Sequence, residues 1–271
     1  MSTAIAAYHG VFGRACLYSM NRPMTTHAHR EGHLCFHVAG ASAANTVDGA
    51  ARPITPDQAV GLNPWELHDF LPGCPVESGI YLVLYIRPDW FETVGGRQAF
   101  GHFGRPEIDV NGYLGRRVER TVSLLLDGDP RQRRDDLLFE LTGEAFSQAR
   151  CGPSDRPCRF GRPNDFRIRK AIRLTGERLE YGVELDQIAR DAGLSRPHFF
   201  KLFRLQTGLT PNLFLNTLRM ERAIDYLIGS TRPVTEIGFD LGFSSQSSFT
   251  RFFASNVGMA PTDYCRVARL I

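Results

Sequence analysis

Two stretches of the chain are one unit written twice, and that repeat constrains the fold more than any other feature. Asp186-Gln-Ile-Ala-Arg-Asp-Ala-Gly-Leu-Ser195 lies on Thr235-Glu-Ile-Gly-Phe-Asp-Leu-Gly-Phe-Ser244 at an offset of 49 residues. After one inserted residue the correspondence resumes at an offset of 50. Phe199, Leu202 and Phe203 fall on Phe249, Phe252 and Phe253, Gly208 on Gly258, and Pro211 on Pro261. A repeat of this length means that the same supersecondary unit is built twice. Each copy reads as a helix, a sharp turn at Gly193 or Gly242, and a second helix capped by Ser195 or by Ser244 and Ser245. Ala189 and Gly238 are small where the two helices must cross closely.

In each second helix the apolar residues at i, i+3 and i+4 make one buried face, which fixes the opposite face by geometry. That face carries Arg196, Pro197, Phe200, Lys201 and Arg204 in the first copy, and Gln246, Ser247, Thr250 and Arg251 in the second. Arg and Lys can donate to guanine, Gln can pair with adenine, and Thr offers a hydroxyl and a methyl, so both faces suit the DNA major groove. Phe200 either meets a thymine methyl or packs on a neighbouring helix. A plain helical bundle with solvated charges is the competing reading of the region, and two patterns in register leave it little room. Pro211 opens a connecting helix to about Ile228, its missing N–H costing little in a first turn. At about 27 Å that helix spaces the two second helices by roughly one DNA turn, about 34 Å.

This arrangement resembles the DNA-binding domain of the AraC/XylS family of bacterial regulators. The resemblance rests on Leu185 to Ser195, on Phe203, Thr207, Gly208, Thr210 and Pro211, and on Leu218-Arg-Met-Glu-Arg-Ala223. It continues through Ile237 to Ser244, Phe249, Arg251-Phe252-Phe253 and Gly258-Met-Ala-Pro261, about 100 residues in all. It implies that Pro197 and Lys201 stand at base-contacting positions of the first unit, and Gln246, Ser247, Thr250 and Arg251 at those of the second. Pro197 and Phe200 depart from the polar residues often found there.

Charge agrees with the repeat. From Phe166 onward there are 15 Lys and Arg against 10 Asp and Glu, whereas the remainder carries 17 against 19. A basic half joined to a slightly acidic one fits a polyanion-binding module attached to something else. The longest apolar stretches, such as Ile80 to Ile86, are too short to span a bilayer, and no signal sequence opens the chain, so it reads as cytosolic. Six scattered cysteines without a CxxC read as free thiols, with Cys151 and Cys158 the one pair worth weighing for redox or metal chemistry.

Up to about Arg87 the chain reads as short strands punctuated by Gly and Pro, with Asp48-Gly49 as a hairpin turn. Such a pattern suggests a small β-barrel or sandwich. Two amphipathic helices follow, from Val110 to about Leu126 and from about Arg134 to Ala149. They either cover the β-domain or pair with another subunit, and the first, through Leu114 and Val118, is the candidate dimer contact. The Pro- and Gly-rich run from Cys151 to Pro163 is the best linker.

Within the strands, His27-Ala-His29-Arg-Glu-Gly-His33 with a later His68 resembles the metal motifs of cupins, with His33 where that family has Glu. His27 and His29 alternate on a strand and can share the barrel interior. Four imidazoles can hold Zn, Ni, Cu or Fe, so a divalent metal is the candidate cofactor. The alternative, which the resemblance implies for many members of the regulator family, is a metal-free pocket whose histidines bond an effector or each other.

The expectation is therefore an α+β multidomain protein. A cupin-like effector-binding and dimerisation domain occupies residues 1–150, a linker 151–165, and an all-α domain with two helix-turn-helix motifs 166–271. Its partners are double-stranded DNA, a small-molecule effector at His27, His29, His33 and His68, a second copy of the chain and RNA polymerase, with no membrane and no catalysis. The competing expectation is a metal-dependent cupin enzyme fused to a DNA-binding module. A DNA-repair methyltransferase would need clustered cysteines, which are missing.

Overall fold

A computed structural model describes residues 2–89, 103–127, 131–149 and 163–268. By its internal contacts the chain forms two compact units, one of residues 1–158 together with Ser255–Ile271 and one of Arg159–Ala254. The expected linker falls almost wholly on residues 150–162, outside the described residues, as do Cys151 and Cys158.

The first unit begins with strands β1 (Thr3–Gly10), β2 (Gly13–Met20), β3 (Met24–His27), β4 (Gly32–Gly40), β5 (Ala43–Val47), β6 (Ala50–Ile54), β7 (Gln58–Leu62), β8 (His68–Pro72), β9 (Gly79–Ile86) and β10 (Glu107–Asp109). They pair antiparallel in two sheets, ordered β1-β2-β9-β4-β7-β10 and β3-β8-β5-β6. This is the cupin-like arrangement expected, although among the described residues hydrogen bonding does not close the two sheets into one barrel. Asp48 and Gly49 form the two-residue β5–β6 turn with φ of 54° and 76°, the left-handed pair that such a hairpin needs. Gly13 starts β2 with φ of 136°, and a Cβ there would lie 2.0 Å from the Tyr85 carbonyl oxygen. No other residue fits that corner.

Alternation along the central strands assigns the two faces of the larger sheet. Leu82, Leu84 and Ile86 of β9, Leu34 and Phe36 of β4, and Ala15 and Leu17 of β2 join one apolar cluster. Helices α1 (Gly112–Asp127) and α2 (Arg131–Gln148) complete it through Leu114, Val118, Leu125, Leu138, Leu141 and Phe146. Asn111 starts α1 by accepting from the Leu114 amide at 2.9 Å. Leu114 and Val118 therefore do not face a second subunit. They are buried in their own unit, and the outward apolar residues of these helices are Tyr113, Leu126 and Phe139.

The second unit is helical: α3 (Phe166–Glu177), α4 (Leu185–Asp191), α5 (Arg196–Thr207), α6 (Pro211–Gly229), α7 (Val234–Asp240) and α8 (Gln246–Val257), whose last turn belongs to the first unit. Asp165 caps α3 by accepting from the Arg167 amide, and Thr210 caps α6 by accepting from Leu213. Phe199, Phe203, Phe249 and Phe253 are fully buried, so the repeat's aromatic pairs form the core. The final helix α9 (Pro261–Ala268) packs with the N-terminal strands, where Tyr264 is buried and the Arg14 guanidinium donates to its hydroxyl at 3.4 Å. Among the described residues no helix is long and apolar enough to cross a membrane.

Candidate nucleic-acid interface and buried histidine cluster

The two copies of the repeat fold alike down to single hydrogen bonds. In the first turn the Leu194 amide donates to the Ala189 carbonyl at 2.9 Å, and in the second the Phe243 amide donates to Gly238 at 3.0 Å. Gly193 and Gly242 take φ of 75° and 80°, the left-handed conformation that lets a helix end and the chain turn sharply. A Cβ on Gly238 would lie 3.0 Å from the Phe249 Cβ, so this glycine does mark a close crossing of α7 and α8. Ser195 stands at the N-cap of α5 without a side-chain cap bond, whereas Ser245, not Ser244, caps α8 by accepting from the Ser248 amide at 3.1 Å.

One shared device was not legible beforehand. In each copy the second residue of the first helix ties down the first residue of the second helix. Asp186 pairs with Arg196 at 3.1 Å, and the Thr235 hydroxyl donates to the Gln246 carboxamide oxygen at 3.0 Å. The two second helices are thus held at their N-terminal ends.

Arg196, Pro197, Lys201 and Arg204 are exposed along α5, and Gln246, Ser247 and Arg251 along α8, while Phe200 and Thr250 are half-buried. Each expected set lies on one outward face. Phe200 is edge-on to Phe199 with centroids 5.7 Å apart, and the Arg196 guanidinium covers its ring at 5.5 Å. Arg196 is thus engaged twice within its own unit. Leu205 is also outward and 76% exposed, an apolar residue on the α5 surface that the periodicity did not single out.

The four histidines also converge. His27 of β3 is the direct register partner of His68 of β8, with ring centroids 4.4 Å apart. His29 lies 4.8 Å from His27 and 5.3 Å from His68, and His33 lies 4.5 Å from His68. All four are buried. The odd-numbered faces of β4 and β9 complete the pocket with Cys35, Val83 and Tyr85, and Tyr18, Asn45, Phe70 and Val257 close it. The cavity measures about 20 Å³.

Burial lowers the pKa of all four imidazoles by disfavouring the charged form, and neighbouring imidazoles push His29, His33 and His68 well below the usual histidine value. Burial thus favours the neutral form of each imidazole. Burial likewise pushes the Cys35 thiol up to about 12, which keeps it protonated. Behind the histidines a buried Arg14 pairs with Glu31 at 2.5 Å and sits 4.1 Å above the Tyr85 ring. Sequence reasoning missed these residues; the signal was a lone charge in an otherwise apolar β2.

Comparison with known proteins accords with this geometry. Residues 188–266 match the family described as a helix-turn-helix domain. The probable transcriptional regulator LumQ of Photobacterium leiognathi is 31% identical over 88 residues, which are 32% of this chain and 36% of LumQ. The regulatory protein SoxS of Salmonella typhimurium is 29% identical over 97 residues, 36% of this chain and 91% of SoxS. The chain spans about a third of the length of LumQ and of the regulatory protein PocR. Unsaturated fatty acid bound wild-type ToxT from Vibrio cholerae shares the fold, with a TM-score of 0.59 at 13% identity over 97% of this chain and 98% of that one. Residues 188–266 of the chain thus form a helix-turn-helix domain. The chain as a whole shares the fold of ToxT, with a cupin-like N-terminal unit ahead of the helical one.

Proposed function

We propose that this chain is a sequence-specific, double-stranded-DNA-binding transcription regulator whose promoter occupancy is set by a small effector held in the N-terminal unit. The observation that carries the reading is the doubled helix-turn-helix with an outward polar face on both second helices. In the second copy of the repeat Gln246, Ser247, Thr250 and Arg251 read base edges. The first copy contributes Lys201 and Arg204 to phosphates and bases, while Pro197 and the packed Phe200 supply shape and methyl contact.

The N-terminal unit acts as sensor rather than as enzyme. Its likeness in fold to ToxT, a protein with a fatty-acid-bound structure, supports a sensing role. The buried imidazoles are enclosed in a cavity far smaller than the roughly 300–1,000 Å³ that hold organic substrates. An effector bound there shifts how two copies of the chain present their DNA-binding halves to a promoter and to RNA polymerase. The exposed Tyr113, Leu126 and Phe139 are the surface offered for pairing two copies.

The test is selection of bound fragments from the source genome, followed by footprinting. The reading requires a recurrent sequence with two protected half-sites about 10 base pairs apart on one face of the duplex. Fragments recovered without any common sequence would contradict it.

A further inference from the structure

We propose that His27, His29 and His68 bind one divalent transition-metal ion, and that this ion is what the N-terminal unit senses. The inference rests on the reading of that unit as the sensing half. One ring nitrogen from each of the three residues lies within 4.8 Å of the others, and all three residues are buried. Ligation at about 2.0–2.1 Å brings tetrahedral donors roughly 3.4 Å apart, so side-chain rotation closing the cluster by up to about 1.4 Å completes a three-nitrogen site.

Their tautomers already suit a metal. His27 Nδ1–H donates to the Thr25 carbonyl at 2.6 Å, and His68 Nδ1–H donates to the Glu66 carbonyl at 2.8 Å. A carbonyl oxygen can only accept, so each Nδ1 carries the proton and each Nε2 keeps its lone pair. Backbone carbonyls that fix the outer nitrogen in this way are the usual support for metal-binding histidines. His68 Nε2 is buried without a hydrogen bond. Asn45, on the wall of the same cavity, donates through Nδ2 to the Asp69 carbonyl and leaves Oδ1 buried without a partner. A buried acceptor in that state is destabilising unless something fills the role of donor or cation.

The size and chemistry of the cavity select the ligand class. A volume of about 20 Å³ admits an ion or a water and excludes a sugar or an acyl chain. Imidazole donors favour zinc, copper, nickel or iron over magnesium and calcium, which require oxygen ligands. Glu31 is engaged by Arg14, and the three gathered donors are all imidazoles, so the donor set is nitrogen. His33, adjacent to His68, stands outside the triad and completes the polar wall.

The experiment uses the full chain, purified without a polyhistidine tag and stripped with a chelator. Cobalt(II) titration should give visible d–d absorption saturating at one ion per chain, and zinc(II) should displace it. His68→Gln and His29→Gln should each weaken binding at least about 100-fold, whereas the exposed His198→Gln should leave it unchanged. Circular dichroism shows that the variants fold; where His68→Gln does not, His27→Asn takes its place. Zinc loading should also change affinity for the selected DNA site at least about fivefold, within the range of ordinary allosteric coupling. No saturable cobalt spectrum, or equal binding by His68→Gln, would overturn the metal site. Metal binding without a change in DNA affinity would overturn the sensing role. Specific DNA binding by a chain that binds no metal would end this inference and leave the regulator reading standing.

Discussion

Arg14 offers the sharpest energetic test of how the N-terminal unit is built. Its guanidinium pairs with Glu31 at 2.5 Å, lies 4.1 Å over Tyr85 and reaches the Tyr264 hydroxyl. Its side chain is 9% exposed and that of Glu31 is 16% exposed, so neither charge can turn to water when the other is removed. Arg14→Met strands a carboxylate and forfeits the contact with Tyr85, at a cost of about 3–5 kcal/mol. Glu31→Gln strands the guanidinium, which keeps both tyrosines, at about 2–3 kcal/mol. In the double variant no uncompensated charge remains, and its loss should fall at least about 2 kcal/mol short of the sum of the single losses. Trp65 lies in this unit and the sequence of the helical unit contains no tryptophan, so urea unfolding followed by tryptophan fluorescence reports on the N-terminal unit selectively. Single losses that add to within about 0.5 kcal/mol would refute the buried pair.

The glycines of the helical unit should separate by their surroundings: Gly176→Ala, with open space around its Cβ, should stabilise it by about 0.5–1 kcal/mol in thermal unfolding. Gly238→Ala meets Phe249 and should destabilise by about 1 kcal/mol despite the same gain in helix propensity. Burial, aided by Arg14, lowers the His9 pKa to about 4. The unfolded chain therefore takes up this proton first as pH falls below about 6.5, and stability should drop from there to about pH 4, with His9→Asn flattening that acid limb of the fluorescence-monitored curve. Leu114→Asp should unfold the N-terminal unit rather than merely dissociate a dimer, whereas Leu126→Asp should leave its circular dichroism intact.

The doubled unit was legible because a helix-turn-helix is specified locally. A left-handed glycine, a small residue at the crossing and an aromatic face can all be read within twenty residues, and Gly242, Gly238 and Phe249 stand as read. The histidines were legible as a set through strand alternation, and the structure brings all four together. That His33 falls outside the tight triad depends on the register of β3 with β8, which pairs His27 with His68 and is invisible to spacing alone. Leu114 and Val118 were open to two readings, since an amphipathic helix shows its apolar face without saying what covers it. The sheet core settles that question. The Arg14–Glu31 pair and the seating of Tyr264 join residues far apart in sequence, and nothing local announces such a contact.

Base reading by the second copy of the repeat, as proposed, turns on Arg251, which is exposed on the outward face of α8. The most direct measurement is the affinity of wild type and Arg251→Ala for a selected site and for random duplex of equal length and salt. The account predicts a loss of about 1–3 kcal/mol on the selected site, relaxed preference at one base pair and little change on random DNA. An equal loss on both duplexes would contradict it.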